Sequence, residues 1–168
     1  MARCRGFAAA ARPIGGAEPK PCSGFDEHRT GAKMYKKMLP RVDEESKGFW
    51  EACRRHELFI QRCRACGTLR YYPRALCPEC LSDDTQWVRC SGRGTVYTFT
   101  VTYQNQAPGF REDLPYVLAY VALEEGPQVL TNIVGCPPDT VKIGMPVEVT
   151  FEDATDEIAI PRFKPQAA

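Results

Sequence analysis

Cys63-Arg64-Ala65-Cys66-Gly67 and, with ten residues between Cys66 and Cys77, Cys77-Pro78-Glu79-Cys80 decide how this chain is read. Each Cys-x-x-Cys pair sets two thiolates on one side of a tight turn, and two such turns facing each other build a tetrahedral four-sulfur site. Gly67 follows the first pair, where a knuckle turn needs the positive φ that glycine adopts without a steric penalty. Pro78 fixes φ inside the second pair. Thr68 to Leu76 is long enough for a short hairpin between the knuckles. Spacing, turn residues and pair symmetry all point to Cys63, Cys66, Cys77 and Cys80 as metal ligands rather than ordinary buried cysteines.

A site filled by four thiolates leaves no open position for water or substrate, so with zinc it is structural. With iron it would be a redox centre. The knuckles Cys-x-x-Cys-Gly and Cys-Pro-x-Cys resemble those of rubredoxin. Rubredoxin, however, separates them by a longer segment and has a glycine where this chain has Leu81. The spacing favours one structural zinc per chain.

The chain has 168 residues, enough for one medium domain or two small ones, and a formal charge of +1. No apolar run is long enough to cross a membrane. Phe7 to Ala11 is too short for a secretory core. There are nine cysteines, an odd number, and Cys4, Cys22, Cys53, Cys90 and Cys136 are scattered. Without a signal peptide the expected compartment is the reducing cytoplasm. The small net charge hides an asymmetry. Met1 to Arg93 carries 18 Lys and Arg against 11 Asp and Glu, a balance of +7; Gly94 to Ala168 carries 4 against 10, a balance of −6.

Residues 1–33, rich in Ala, Gly, Pro and Arg without apolar period, read as a disordered tail. A mis-assigned start upstream of Met34 would account for them; a targeting peptide is the alternative. Residues 34–57 form an N-terminal helical segment. Its helix is expected over Glu44 to His56, with Asp43 as N-cap and Arg54, Arg55 and His56 at the negative end of the dipole. Phe49, Trp50 and Cys53 share one face and are expected to pack on the ribbon. The zinc ribbon occupies 58–90, with strands near Phe59–Gln61, Leu69–Tyr72 and Gln86–Arg89. It is too small to bury much core, a deficit that a metal offsets.

Residues 91–168 read as a five-stranded barrel. Tyr97, Phe99, Val101 and Tyr103 alternate with Thr98, Thr100 and Thr102, which predicts a half-buried strand with the two sets on opposite faces. Further strands are expected at Tyr116–Leu123, Gln128–Val134, Val147–Phe151 and Glu157–Arg162.

The chain resembles a known family: acyl-CoA-associated proteins, formerly grouped as a domain of unknown function, that join an N-terminal helix and rubredoxin-like zinc ribbon to an OB-fold barrel. The resemblance is carried by Gly48-Phe49-Trp50-Glu51-Ala52, by Gln61 to Gly67, by Tyr71-Tyr72-Pro73-Arg74 and by Leu76 to Cys80. In the barrel it rests on Ser91 to Val101, Leu114-Pro115-Tyr116, Leu130 to Cys136 and Ile143 to Val147. It runs from Arg41 to Phe151. It implies a mainly β protein and a non-catalytic zinc-binding companion or scaffold subunit of a thiolase-superfamily enzyme, or of an acyl-CoA hydratase or aldolase, in acyl-CoA, lipid or steroid metabolism. It also implies a share in holding the CoA moiety.

The residues agree that the chain lacks chemistry of its own. His28 and His56 are the two histidines, and neither sits in a nucleophile or metal motif. CoA carries phosphates and an adenine, a handle that suits Arg beside aromatic rings. Tyr71, Tyr72 and Arg74 offer that combination, set against the reading in which the tyrosines simply fill a small core. Phe110, at the tip of the loop Gln104 to Leu114, is the candidate contact with the partner enzyme; the alternative is a floppy barrel loop with Phe110 tucked back. Nucleic-acid binding is the alternative function, since zinc ribbons and OB-folds both serve it. It fits poorly, because only Arg111 and Lys142 face ten acids between Gly94 and Ile160. A rubredoxin-like electron carrier is the third reading.

Overall fold

The computed structural model describes residues 35–167. The expected tail, with His28, Cys4 and Cys22, lies outside the described residues. The described residues fall within one compact unit. It begins with a helix, α1 (Lys47–Arg54), and a three-stranded antiparallel sheet of β1 (Phe59–Cys63), β2 (Leu69–Arg70) and β3 (Thr85–Arg89), in the order β2-β1-β3. Five strands follow: β4 (Arg93–Thr102), β5 (Tyr116–Leu123), β6 (Gln128–Ile133), β7 (Pro146–Asp153) and β8 (Ala159–Pro165). They close a barrel in the order β4-β5-β6-β8-β7, with β6 and β8 the parallel pair. This is the mainly β arrangement of helix, ribbon and OB-fold barrel that the sequence predicts.

The helix starts three residues later than expected. Asp43 caps the turn that leads into it: its carboxylate accepts the Ser46 N–H at 2.9 Å, and its carbonyl accepts the Lys47 N–H at 2.8 Å. Ser46, buried, then takes the N-cap place of the helix itself. The apolar face is as predicted, with Phe49, Trp50, Ala52 and Cys53 all buried. That face joins Leu58 and Ile60 of the ribbon to Val96, Val121, Val147 and Phe163 of the barrel in one continuous core. Phe49 and Phe163 have no exposed surface, and burial of this kind stabilises by about 1.5–3 kcal/mol per side chain.

Strand β4 departs from the strict alternation that the sequence predicts. Its pairing with β5 slips between Val96 and Thr98, a β-bulge that turns Tyr97 outward, 58% exposed. Gly94 and Val96 face inward before the bulge and Phe99 and Val101 after it, while Tyr103 lies past the strand end, 66% exposed. Strict alternation in the sequence could not show the extra residue.

Candidate functional site: the four-cysteine ribbon

Two knuckles fold back on each other at one end of the β1–β2–β3 sheet. In the first, the Gly67 N–H donates to the Cys63 carbonyl at 2.9 Å, and Gly67 has φ +80°. In the second, the Leu81 N–H donates to the Cys77 carbonyl at 2.9 Å, and Leu81 takes φ +60° without being glycine. That left-handed position is where rubredoxin carries its glycine, so the turn geometry survives the change of residue. The four Sγ atoms lie within 4.8 Å of one another, and Cys63–Cys80 and Cys66–Cys77 each stand 3.6 Å apart. Sulfurs placed about 2.3 Å from a central ion form a tetrahedron with edges of about 3.8 Å, so the donor set fits a zinc-sized cation.

Local electrostatics favour the thiolate at Cys63 and Cys66 and oppose it at Cys80. Hydrogen bonds from Thr68 pull the Cys66 thiol down to about 6. The Cys66 backbone N–H draws the Cys63 thiol below its ordinary value. Cys80, despite the Ser82 N–H that favours its thiolate, is pushed up to about 12 by Cys63, Cys66 and Cys77. Four thiolates at this range repel one another, and a cation between them would offset that repulsion. The other buried cysteines behave differently. Burial pushes Cys53 and Cys90 up to about 12, so both remain neutral thiols in the core.

Tyr71 and Tyr72 pack beside the helix in an aromatic cluster. Phe49 makes edge contacts with Trp50, Tyr71 and Tyr72, ring centroids 5.0, 5.6 and 5.8 Å away. The Trp50 indole donates to the Tyr72 hydroxyl at 3.2 Å. Tyr71 is half-buried in this cluster and Tyr72 keeps one side open, 39% exposed. Arg74 points its side chain to solvent, while its backbone N–H donates to Gln61 at 2.9 Å.

Phe110 is folded back rather than presented at a loop tip. It is half-buried, its ring 6.1 Å from Tyr116, and Lys37 lies 5.4 Å above it. Lys36 holds the same loop through Glu112 at 2.6 Å, and Lys37 pairs with Asp113. These lysines fall in a segment with no helical or strand pattern, so nothing in the sequence marks them as a strap.

Three further features are not visible in the sequence. Arg70, buried, donates through Nε to the Gln61 side-chain oxygen at 2.9 Å and through Nη2 to the Thr85 hydroxyl at 2.7 Å, locking all three ribbon strands together. Gln61 and Arg70 are direct partners in the β1–β2 register, a relation that exists only once the strands are paired. The His56 Nε2–H donates to the Asp153 carboxylate at 2.8 Å and the ring stacks on Phe151, tying the end of α1 to β7. A cavity of about 570 Å³ opens beside Phe110, Tyr116, Cys136 and the buried Arg162, which is paired with Glu152 at 2.6 Å and with Asn132.

A helix and a four-cysteine ribbon packed on a closed five-stranded barrel define the zinc-ribbon OB-fold class. Family models agree along the chain: the ChsH2 rubredoxin-like zinc ribbon domain matches residues 50–86, and the ChsH2 C-terminal OB-fold domain matches residues 87–152. A DUF35 domain-containing scaffold protein of Methanocaldococcus jannaschii is 39% identical over 110 residues, covering 62% of this chain and 77% of its own. Among solved structures, the Ltp2-ChsH2(DUF35) aldolase has a chain 40% identical to this one. The match covers 76% of this chain and 98% of that one, with a TM-score of 0.69. The chain belongs to the ChsH2-type DUF35 family of zinc-ribbon and OB-fold proteins. A probable enoyl-CoA hydratase alpha subunit of Thermomonospora curvata is 40% identical over 126 residues, 75% of this chain. The chain spans only 39% of that subunit's length. Among the described residues no helix is long and apolar enough to cross a membrane.

Proposed function

We propose that this chain is a scaffold subunit, without turnover of its own, of an enzyme acting on acyl-CoA substrates of the hydratase, aldolase or thiolase kind. Cys63, Cys66, Cys77 and Cys80 hold one structural zinc that fixes the ribbon. The observation that carries the reading is the match to nearly the whole of one chain of the Ltp2-ChsH2(DUF35) aldolase. The chemistry of the site supports it. Four thiolates saturate a tetrahedral ion, so the metal offers no position at which a substrate could be activated. His56 spends its Nε2 on Asp153 and has no nucleophile beside it among its described partners.

On this reading Tyr72 and Arg74 are the groups open to a CoA handle, with Tyr71 behind them as packing. Phe110 supports the contact loop from beneath, held there by Tyr116 and the Lys37 strap. Nucleic acid is the poorer ligand, because the barrel's acids outnumber its bases and phosphate contacts supply most non-specific affinity.

The test is purification from native lysate, with the co-purifying protein identified by mass spectrometry, the zinc content measured, and the purified chain assayed alone. The expected result is an acyl-CoA hydratase, aldolase or thiolase in the complex, one zinc per chain, and no turnover without the enzyme. Turnover of an acyl-CoA by the purified chain alone would overturn the scaffold assignment. A metal-free or iron-loaded preparation would overturn the zinc assignment.

A further inference from the structure

Among the described residues, the outer edge of β4 is left open over half its length. β4 runs from Arg93 to Thr102, yet it pairs with β7 only at Arg93, Gly94 and Thr95. Val96 makes the last backbone contacts on that side, with Gly144 and Met145. From Thr98 to Thr102 the strand pairs with β5 alone. Among the described residues no backbone hydrogen bond reaches its other edge.

Exposed edges of this kind are normally blunted by Lys, Pro or charge, because unpaired amides recruit other strands. Here the segment Tyr97-Thr98-Phe99-Thr100-Val101-Thr102-Tyr103 contains none of these. Its residues are β-branched or aromatic throughout, the types that favour strands. The edge is therefore built to be covered.

The sequence also says what covers it. Read antiparallel against itself about Thr100, the segment is nearly a palindrome. Thr100 meets Thr100, Phe99 meets Val101, Thr98 meets Thr102, and Tyr97 meets Tyr103. Threonine pairs and aromatic–β-branched pairs are among the favourable cross-strand neighbours, and no like charges are opposed. Phe99 and Val101 are only half-buried in the free chain, at the open side of the barrel wall. Self-pairing would cover each with the other's counterpart. Thr98 stands opposite Tyr120 on β5, and Tyr120 opposite Leu130 on β6. Tyr120 and Leu130 are 43% and 47% exposed, so this outer row would continue across the join.

We propose that two copies of this chain pair through the free edge of β4, antiparallel and about a two-fold axis at Thr100. The interface is isologous, as in most closed dimers. It extends β6-β5-β4 of one copy into β4-β5-β6 of the other.

Sedimentation of the zinc-loaded full chain over a range of concentrations tests this directly. The expected species has twice the 18.8 kDa mass of the chain. Thr100 is exposed on the outer face, so Thr100→Lys should leave the thermal midpoint unchanged. It places like charges opposite one another at the axis and should weaken self-association about tenfold or more. Thr100→Cys, mildly oxidised, should yield a covalent dimer whose peptide map shows the introduced thiol joined to its own counterpart. A residue on the axis meets the same residue of the other copy about 4.5–5.5 Å away, within disulfide reach. A chain that stays monomeric at every concentration overturns the proposal. So does a dimer that survives Thr100→Lys. A monomer whose Thr100→Lys variant no longer retains the partner enzyme would assign the edge to that enzyme instead, and self-pairing would again be wrong.

Discussion

The ribbon and the barrel reach stability by different routes, although one hydrophobic core runs through both. The barrel closes on itself through five strands, and its inward Val96, Val117, Val121, Val129, Val147 and Phe163 are nearly all without exposed surface. The ribbon has three short strands and little apolar filling of its own, chiefly Leu58 and Ile60, which it shares with the helix. Its remaining order comes from Arg70 hydrogen-bonded inside the sheet and from the four clustered thiols. A small sheet can dispense with a core when a metal and a few buried polar links define its geometry.

The comparison breaks most visibly if the metal is withdrawn. Structural zinc in small modules contributes on the order of 10 kcal/mol or more of folding free energy. Cys77→Ser, or treatment with a strong chelator, is expected to make residues 58–90 susceptible to protease while the barrel strands resist. Unchanged protease resistance in the ribbon would show that its order does not depend on the metal.

The reverse experiment strikes the barrel. Phe163→Ala opens a cavity at a site with no exposed surface and should cost about 3–5 kcal/mol, read as a lower denaturant midpoint. Metal content should stay at one per chain. Loss of metal in parallel would mean that the two regions fold as a single cooperative unit.

Two smaller changes sharpen the border between them. Tyr72→Phe removes the acceptor of the Trp50 indole and should cost about 1 kcal/mol, measured by chemical denaturation. Asp43→Ala should have the smallest effect, and one that depends on pH. Hydrogen bonds from Ser46 hold the Asp43 carboxyl below its ordinary 3.8. A carboxyl depressed on folding stabilises at pH above its unfolded value and loses that contribution as pH falls through the folded value. The variant should therefore melt slightly earlier than the parent at neutral pH and together with it in strong acid.

What can be read from the sequence follows the same division. Ligand chemistry dictates spacing, so the knuckles are visible as residues in a row, and the structure brings their sulfurs together as expected. Strands β5 and β6 are legible because alternation and turn residues bound them on both sides. The phase of β4 is not, since a bulge at Tyr97 depends on how β5 and β7 share one long strand. The start of α1 differs because Asp43 caps a turn before the helix, and a cap looks alike in either place. Arg70 and Arg162 count only as surface charge in the sequence; strand pairing buries them beside Gln61 and Glu152. Phe110 reads as a loop tip until the Lys36 and Lys37 strap, which comes from a distant part of the chain, is in place.

The chain has two tryptophans, and both lie where the helix meets the ribbon. Trp50 is buried on α1, and the Trp87 ring sits against Gly48, where even a methyl group would stand only 2.8 Å from it. The barrel strands contain none. Indole emission thus observes one region alone, while the far-ultraviolet circular dichroism of this mainly β protein is dominated by the barrel. A melt followed by both signals carries an internal test of cooperativity: two coincident curves mean one transition, and a fluorescence change that runs ahead means the ribbon lets go first.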